Sequence, residues 1–181
     1  MRRIGMLMMG LLLGGCANWG TQPPQSAGRL DLERYEGTWY ELARLPMYFQ
    51  RRCLESEAHY RLQESGELAV LNRCRTAEGE WIEARGKAWP QEKGRNDRLW
   101  VRFDNTFSRL FPFLTKGDYW VLYVDPTYRL ALVGSPDRDY LWLLARDPQV
   151  SPEQRERLLA VARQRGYDLA PLIWRQPAKT E

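Results

Sequence analysis

Residues 35–46 read YEGTWYELARLP. Thr38, Trp39 and Tyr40 follow a glycine, and these residue types suit a pleated, half-buried surface. Side chains two apart on a strand share a face, so Trp39, Glu41 and Ala43 point the same way. If Trp39 faces a core, a carboxylate faces it too. An unpaired buried carboxylate is costly. Glu41 therefore needs either a partner inside the fold or a polar group on something the fold holds.

Strand signals recur outward from this stretch, at 37–45, 54–63, 67–75, 80–89, 97–104, 118–125, 128–135 and 139–146. They are punctuated by Glu64-Ser65-Gly66, Ala77-Glu78-Gly79, Gly94-Arg95-Asn96, Asp125-Pro126-Thr127 and Ser135-Pro136-Asp137. Turns this short join antiparallel neighbours. Eight such strands predict an all-β fold, an antiparallel up-and-down barrel whose closure removes exposed edges. A two-sheet sandwich is the alternative. One connection is long and carries Phe107, Leu110, Phe111, Phe113 and Leu114. Such a loop flanks a cavity mouth, touches a membrane, serves a homodimer or folds back on its own barrel. A single C-terminal helix is expected near 151–166. Ser151 caps it, Pro152 suits its first turn, Gln154 completes a capping box and Gly166 ends it. Its narrow apolar face of Leu158, Leu159, Val161 and Ala162 suits the outer wall of a barrel. Asp31 caps a short helical turn reaching Tyr35, and 167–174 is expected to pair beside the first strand.

The chain has 181 residues, 44% hydrophobic and 28% charged, which fits one globular domain. Its formal charge is +4, and Arg2 and Arg3 contribute two of those charges. Without them the balance is near neutral and no basic stripe remains, so nucleic acid is not expected as a partner. Residues 1–15 read as a signal peptide: Arg2 and Arg3, then an apolar run from Ile4 to Leu13 that is too short to span a bilayer. Leu13-Gly14-Gly15-Cys16 resembles a bacterial lipobox, in which the cysteine is diacylated and becomes the new N-terminus; an ordinary signal peptide is the alternative. Acylated Cys16 would tie the chain to a membrane. Residues 16–28 then form a lipidated N-terminus and flexible tether. Ala17, in place of Asp, points by resemblance to outer-membrane sorting. Lipidation leaves Cys53 and Cys74, an even pair in an oxidising compartment, so a disulfide is expected. There is no CxxC spacing and a single histidine, His59. Neither a metal site nor a Cys–His nucleophile pair is expected, and no cofactor.

Facing set by Trp39 places Glu41 and Ala43 inside, and alternation along the other strands offers Tyr60, Asn72, Val101, Phe103, Tyr119, Val121, Tyr123, Tyr140 and Trp142. Apolar walls with a few polar tips describe a ligand pocket. The same set also suits a barrel filled by its own side chains.

Gly37-Thr38-Trp39-Tyr40 is the Gly-x-Trp motif of the lipocalins. Gly117-Asp118-Tyr119 resembles their second motif, with Gly in place of Thr, and Leu144-Ala145-Arg146 supplies the arginine of the third. Pro136-Asp137-Arg138-Asp139-Tyr140-Leu141-Trp142 is similar to the bacterial lipoprotein lipocalins and apolipoprotein D. The resemblance covers about residues 29–176, leaving 177–181 as a tail. It implies an eight-stranded calyx in which Trp39 closes the base and Arg146 packs across it. It also implies a non-enzymatic protein, anchored at the periplasmic face of the outer membrane. Such a protein binds fatty acids or lysophospholipids, storing or moving lipid in envelope maintenance. Glu41 would then hold a lipid head group, or pair with Arg146 or backbone groups near the base. An envelope scaffold with a filled barrel is the alternative, and behind it a lipocalin-fold enzyme using Glu41 with a tyrosine.

Overall fold

A computed structural model describes residues 22–104 and 116–176. The expected signal peptide, Cys16, the long apolar connection at 107–114 and the tail at 177–181 lie outside the described residues. Gly37 opens β1 (Gly37–Arg44) at φ +90°, a backbone angle that glycine adopts without strain. Seven strands follow: β2 (Cys53–Leu62), β3 (Leu68–Thr76), β4 (Trp81–Glu92), β5 (Arg95–Phe103), β6 (Gly117–Val124), β7 (Leu130–Gly134) and β8 (Leu141–Ala145). Each pairs antiparallel with the next, β8 returns to β1, and β1 also pairs β2. The ring of eight is closed.

β1 and β2 pair only from Gly37 to Tyr40 and then part. The final strand, β9 (Ile173–Trp174), pairs with Ala43 and Arg44 where they separate. Arg175 N–H donates to Leu42 O and Gln176 N–H to Leu54 O, so this segment stitches the two strands together. Gly86 has a different use. A Cβ there would meet Arg102 O at 2.2 Å, so β4 can lie this close to β5 only with glycine at that position.

Two apolar cores share one wall. The inner core gathers Leu30, Tyr35, Trp39, Tyr60, Val70, Leu99, Val121, Val133 and Leu144 inside the barrel. The outer core lies between β1, β6, β7 and β8 and the helix α2 (Pro152–Gln164), and holds Leu42, Leu122, Leu132, Leu141, Leu143, Leu158 and Ala162. The strands β6–β8 and β1 are thus apolar on both faces. The outer faces of β2–β4 carry charge instead: Arg73 bridges Glu57 at 3.1 Å and Glu83 at 3.4 Å, and Lys87 meets Glu67 at 2.9 Å. The capping box of α2 is formed in both directions, Gln154 N–H to Ser151 Oγ and Ser151 N–H to Gln154 Oε1.

The stretch 22–28 corrects the expectation of a tether reaching Gly28. Ser26 is buried, Ala27 N–H donates to Val121 O at 2.8 Å, and Gly28 N–H donates to Asp97 Oδ2 at 2.7 Å. Burial opposes ionisation of Asp97, but hydrogen bonds from Arg95, Ser26 and Gly28 outweigh it and hold the carboxyl below its usual range. Unfolded chains then bind this proton more readily than folded ones. The stabilisation is present above the ordinary aspartate pKa and is lost as pH falls through the lowered one. Asp97→Asn should therefore release the 22–28 segment to proteolysis at neutral pH and flatten the acid limb of the stability curve. An unchanged cleavage rate would refute that role.

Cys53 and Cys74 are joined, with sulfurs 2.10 Å apart, across 21 residues of chain. A loop of that size corresponds to about 3 kcal/mol in the chain-entropy view. Cys53→Ser/Cys74→Ser should lower Tm by roughly 6–12 °C, at about 2–4 °C per kcal/mol. Calorimetry on both forms reads this directly.

Candidate functional site

The base of the barrel is closed by side chains from four elements. The short helix α1 (Leu32–Tyr35) is capped by Asp31, whose carboxylate accepts from Arg34 N–H. Its last residue, Tyr35, is fully buried against Trp39, ring centroids 4.9 Å apart. Trp39 Nε1 donates to Tyr35 O at 2.9 Å. Arg146 lies over the Trp39 ring at 4.0 Å and donates to Thr38 O at 2.8 Å, Arg34 O at 2.9 Å and Tyr128 O at 3.3 Å. One guanidinium thus ties β1, α1 and the β6–β7 turn together.

Above this base a chain of hydroxyls crosses the barrel. Tyr119 stands on β6, opposite β2 in the ring, and its hydroxyl is 2.9 Å from both Tyr35 Oη and Tyr60 Oη. Burial pushes all three phenols up, Tyr60 to about 12 and Tyr35 and Tyr119 well above the ordinary tyrosine range, so the trio stays neutral at any ordinary pH. Tyr119 is the shared partner. Tyr119→Phe strands two buried hydroxyls and should cost about 1–3 kcal/mol in urea unfolding, whereas Tyr35→Phe, which breaks one bond, should cost less. Equal losses would argue against the bridge.

Toward the other end sits a polar cluster. Glu41 Oε1 accepts from Arg44 Nη1 at 2.9 Å, and Glu41 Oε2 from Gln50 Nε2 at 2.9 Å. Arg44 Nη2 also donates to Gln50 O and Cys53 O. Gln50 Oε1 accepts from Trp142 Nε1 at 2.9 Å. Burial raises the Glu41 carboxyl above its ordinary pKa, with Arg44 and Gln50 pulling the other way. Arg146 is not its partner; it serves the base.

Arg44 reaches Glu41 because β1 does not alternate to its end. The register with β8 shifts between Glu41 and Ala43, a β-bulge that puts Leu42 and Ala43 against the helix side and turns Arg44 inward. Ala43 is therefore not a cavity residue. A second shift, between Val121 and Tyr123 on β6, moves Tyr123 to the outer core by the same mechanism. Tyr140 lies outside β8, 37% exposed, stacked on Trp142 at 6.0 Å. It belongs to the rim. Tyr60, Asn72, Val101, Phe103, Tyr119, Val121 and Trp142 line or abut the inner core together with Trp39. Tyr35, Arg44 and Gln50 complete the arrangement without a periodic signal in the sequence. The need of Glu41 for a cation was the one pointer to Arg44.

The interior is not uniformly filled. Ala58, Asn72, Val101 and Tyr119 point inward yet are only half-buried, so they border open space within a closed ring. Asn72 Oδ1 itself is buried, without a hydrogen-bond partner among the described residues. His59 faces the other way, bonded to Thr38 Oγ1 at 2.9 Å and Glu57 at 3.1 Å. No group of three or more metal-ligating side chains occurs among the described residues. The arrangement offers a largely apolar inner wall with a hydroxyl-bridged trio above its base and a polar cluster nearer the mouth.

Known proteins share this plan. The model of a lipocalin-like domain matches residues 30–177. The chain is 38% identical over 158 residues to the outer membrane lipoprotein Blc of Escherichia coli K12, covering 85% of each chain. It is 34% identical to the Blc of Vibrio cholerae, covering 97% of this chain and 99% of that one. Among solved structures, lobster apocrustacyanin A1 superimposes with a TM-score of 0.65 over 87% of this chain and 92% of its own, at 13% identity.

Proposed function

The chain belongs to the lipocalin family, and from that premise we propose that it holds a fatty acid or lysophospholipid in its barrel, tethered to the outer membrane by an acylated Cys16. Lipocalins are in general non-catalytic binding proteins, and the relatives named Blc are outer membrane lipoproteins. The supporting observation is the half-buried inner wall of Ala58, Asn72, Val101 and Tyr119. The hydrophobic effect does the binding. Twelve methylenes at about 0.8 kcal/mol each give a gross gain near 10 kcal/mol, from which ordering costs are subtracted. The floor made by Tyr119, Tyr60 and Tyr35 receives the chain end. The head group meets the polar cluster of Glu41, Arg44 and Gln50. Storage or transport of envelope lipid follows from such a site.

Native mass spectrometry of the full chain, offered mixed fatty acids and lysophospholipids, tests the reading. One lipid retained per folded chain supports it and names the guest's class. A folded sample that retains none sinks it in favour of an envelope scaffold. Glu41→Gln should shift head-group preference more than chain-length preference, and equal losses for every lipid would remove Glu41 from the site.

A further inference from the structure

Among the described residues, the large apolar side chains that stand exposed are Tyr48, Phe49, Trp81, Ile82 and Tyr140. All five belong to one end of the barrel. Tyr48 and Phe49 lie between β1 and β2, Trp81 and Ile82 open β4 just after the β3–β4 turn, and Tyr140 ends the β7–β8 turn. Strand direction alternates around the ring, so these connections share the end opposite Trp39 and Arg146. The Phe49 and Tyr140 rings approach to 5.8 Å, which joins two of the loops into one patch. Tyr48 and Phe49 are 79% and 62% exposed, more than folding alone explains.

The N-terminal segment runs to the same end. Asn96 donates to Leu30 O near the base, Gly28 binds Asp97, and Ala27 binds Val121 midway. Gln25 then accepts from Arg165 Nη1 at 3.4 Å. The carbonyl of Arg165 is held at 2.8 Å by Arg138, in the β7–β8 turn. Read backwards from Leu30, the chain climbs from base to mouth. Cys16 lies nine residues before Gln25, a reach of at most roughly 30 Å at 3.3–3.6 Å per residue.

We propose that the mouth of the barrel docks on the lipid surface, with Tyr48, Phe49, Trp81, Ile82 and Tyr140 seated at head-group level. The orientation rests on the acyl anchor proposed above, since an anchored Cys16 keeps this end within reach of the bilayer. Tyrosine and tryptophan favour that interface because each ring is apolar in body and polar at one tip. Part of the charge at this rim is offset. Arg52 is met by Glu78 at 3.7 Å, and Arg138 is flanked in sequence by Asp137 and Asp139. Arg51 lies over the Tyr48 ring at 3.9 Å and adds a cation at the same level, and a guest passes between bilayer and chamber without crossing water.

The test uses the full acylated chain in vesicles of phosphatidylethanolamine with a minority of phosphatidylglycerol, with bromine on the acyl chains near the head groups. Wild type minus Trp81→Phe isolates the Trp81 emission. Bromine is expected to reduce that component about twofold, as for a ring at the interface, and Tyr48→Ser/Phe49→Ser should abolish the loss. Flotation with the vesicles reports the anchor separately. Floating protein whose Trp81 emission is unquenched overturns the docking and leaves the anchor standing. Protein that does not float overturns the anchor, and quenching with vesicles in excess then decides the docking alone. If Tyr48→Ser/Phe49→Ser instead converts a dimer into a monomer and leaves quenching unchanged, a second copy occupies the rim and the proposal fails.

Discussion

Replacing Arg44 by Met is expected to cost roughly 3–5 kcal/mol at neutral pH, because it leaves Glu41 buried without its cation. Both side chains are almost wholly inaccessible, at 2% and 6%. The guanidinium holds Glu41 and two backbone carbonyls at once. The pair is not a large source of net stability, since its attraction mainly offsets the desolvation of two ions. Glu41→Leu/Arg44→Met should accordingly recover most of the loss. The pH dependence separates this account from simple cavity formation. Burial already raises the Glu41 carboxyl, and without Arg44 it rises further. A raised acid favours folding fully below its unfolded pKa, and that contribution is lost as pH rises through the folded one. The deficit of Arg44→Met should shrink near pH 4, about the ordinary glutamate pKa, and grow toward neutrality. Urea unfolding across that range is decisive: a pH-independent deficit would mean that lost packing, not the carboxylate, is responsible.

Trp39→Ala should also cost roughly 3–5 kcal/mol, the usual range for removing a large aromatic from a core. Trp39 is 0% exposed and is the platform under Arg146. Arg146→Ala loses a cation–π contact of about 0.5–2 kcal/mol and leaves three carbonyls at the base short of a donor. The two residues act through one contact, so Trp39→Ala/Arg146→Ala should fall short of the summed losses by about 0.5–3 kcal/mol. Strict additivity in a thermal or urea double-mutant cycle would mean that they close the base independently.

The plan of the barrel was legible because its signals are local. Gly37 and Trp39 announced β1, the short turns imposed antiparallel neighbours, and Ser151 with Gln154 marked the start of α2. Facing was legible only as far as alternation lasted. Leu42-Ala43 places two apolar residues in succession, and Trp120 to Val124 is apolar throughout. Neither run states its own parity, and a bulge of one residue reverses every side chain beyond it. That is why alternation alone sends Ala43 and Tyr123 inward and gives no sign of Arg44. Gln50 lies in a three-residue 3-10 turn, Tyr48–Gln50, where no periodicity exists to read. Tyr35 looked like the end of a capped turn, and its hydroxyl bond to Tyr119, 84 residues away, is purely tertiary.

The two cores divide the ring mechanically. β6, β7, β8 and β1 are clamped between the inner core and α2, so opening any of them strips apolar surface from both sides at once. Among the described residues no buried apolar cluster covers the outer faces of β3 and β4, and the ion pairs there trade readily for water. Local opening is drawn from the less protected elements, which makes one half of the barrel a rigid back and the other a compliant front. Their amide protons should exchange on two timescales. A bulky guest would be accommodated by β3 and β4 moving outward, while the half that carries the helix keeps its shape.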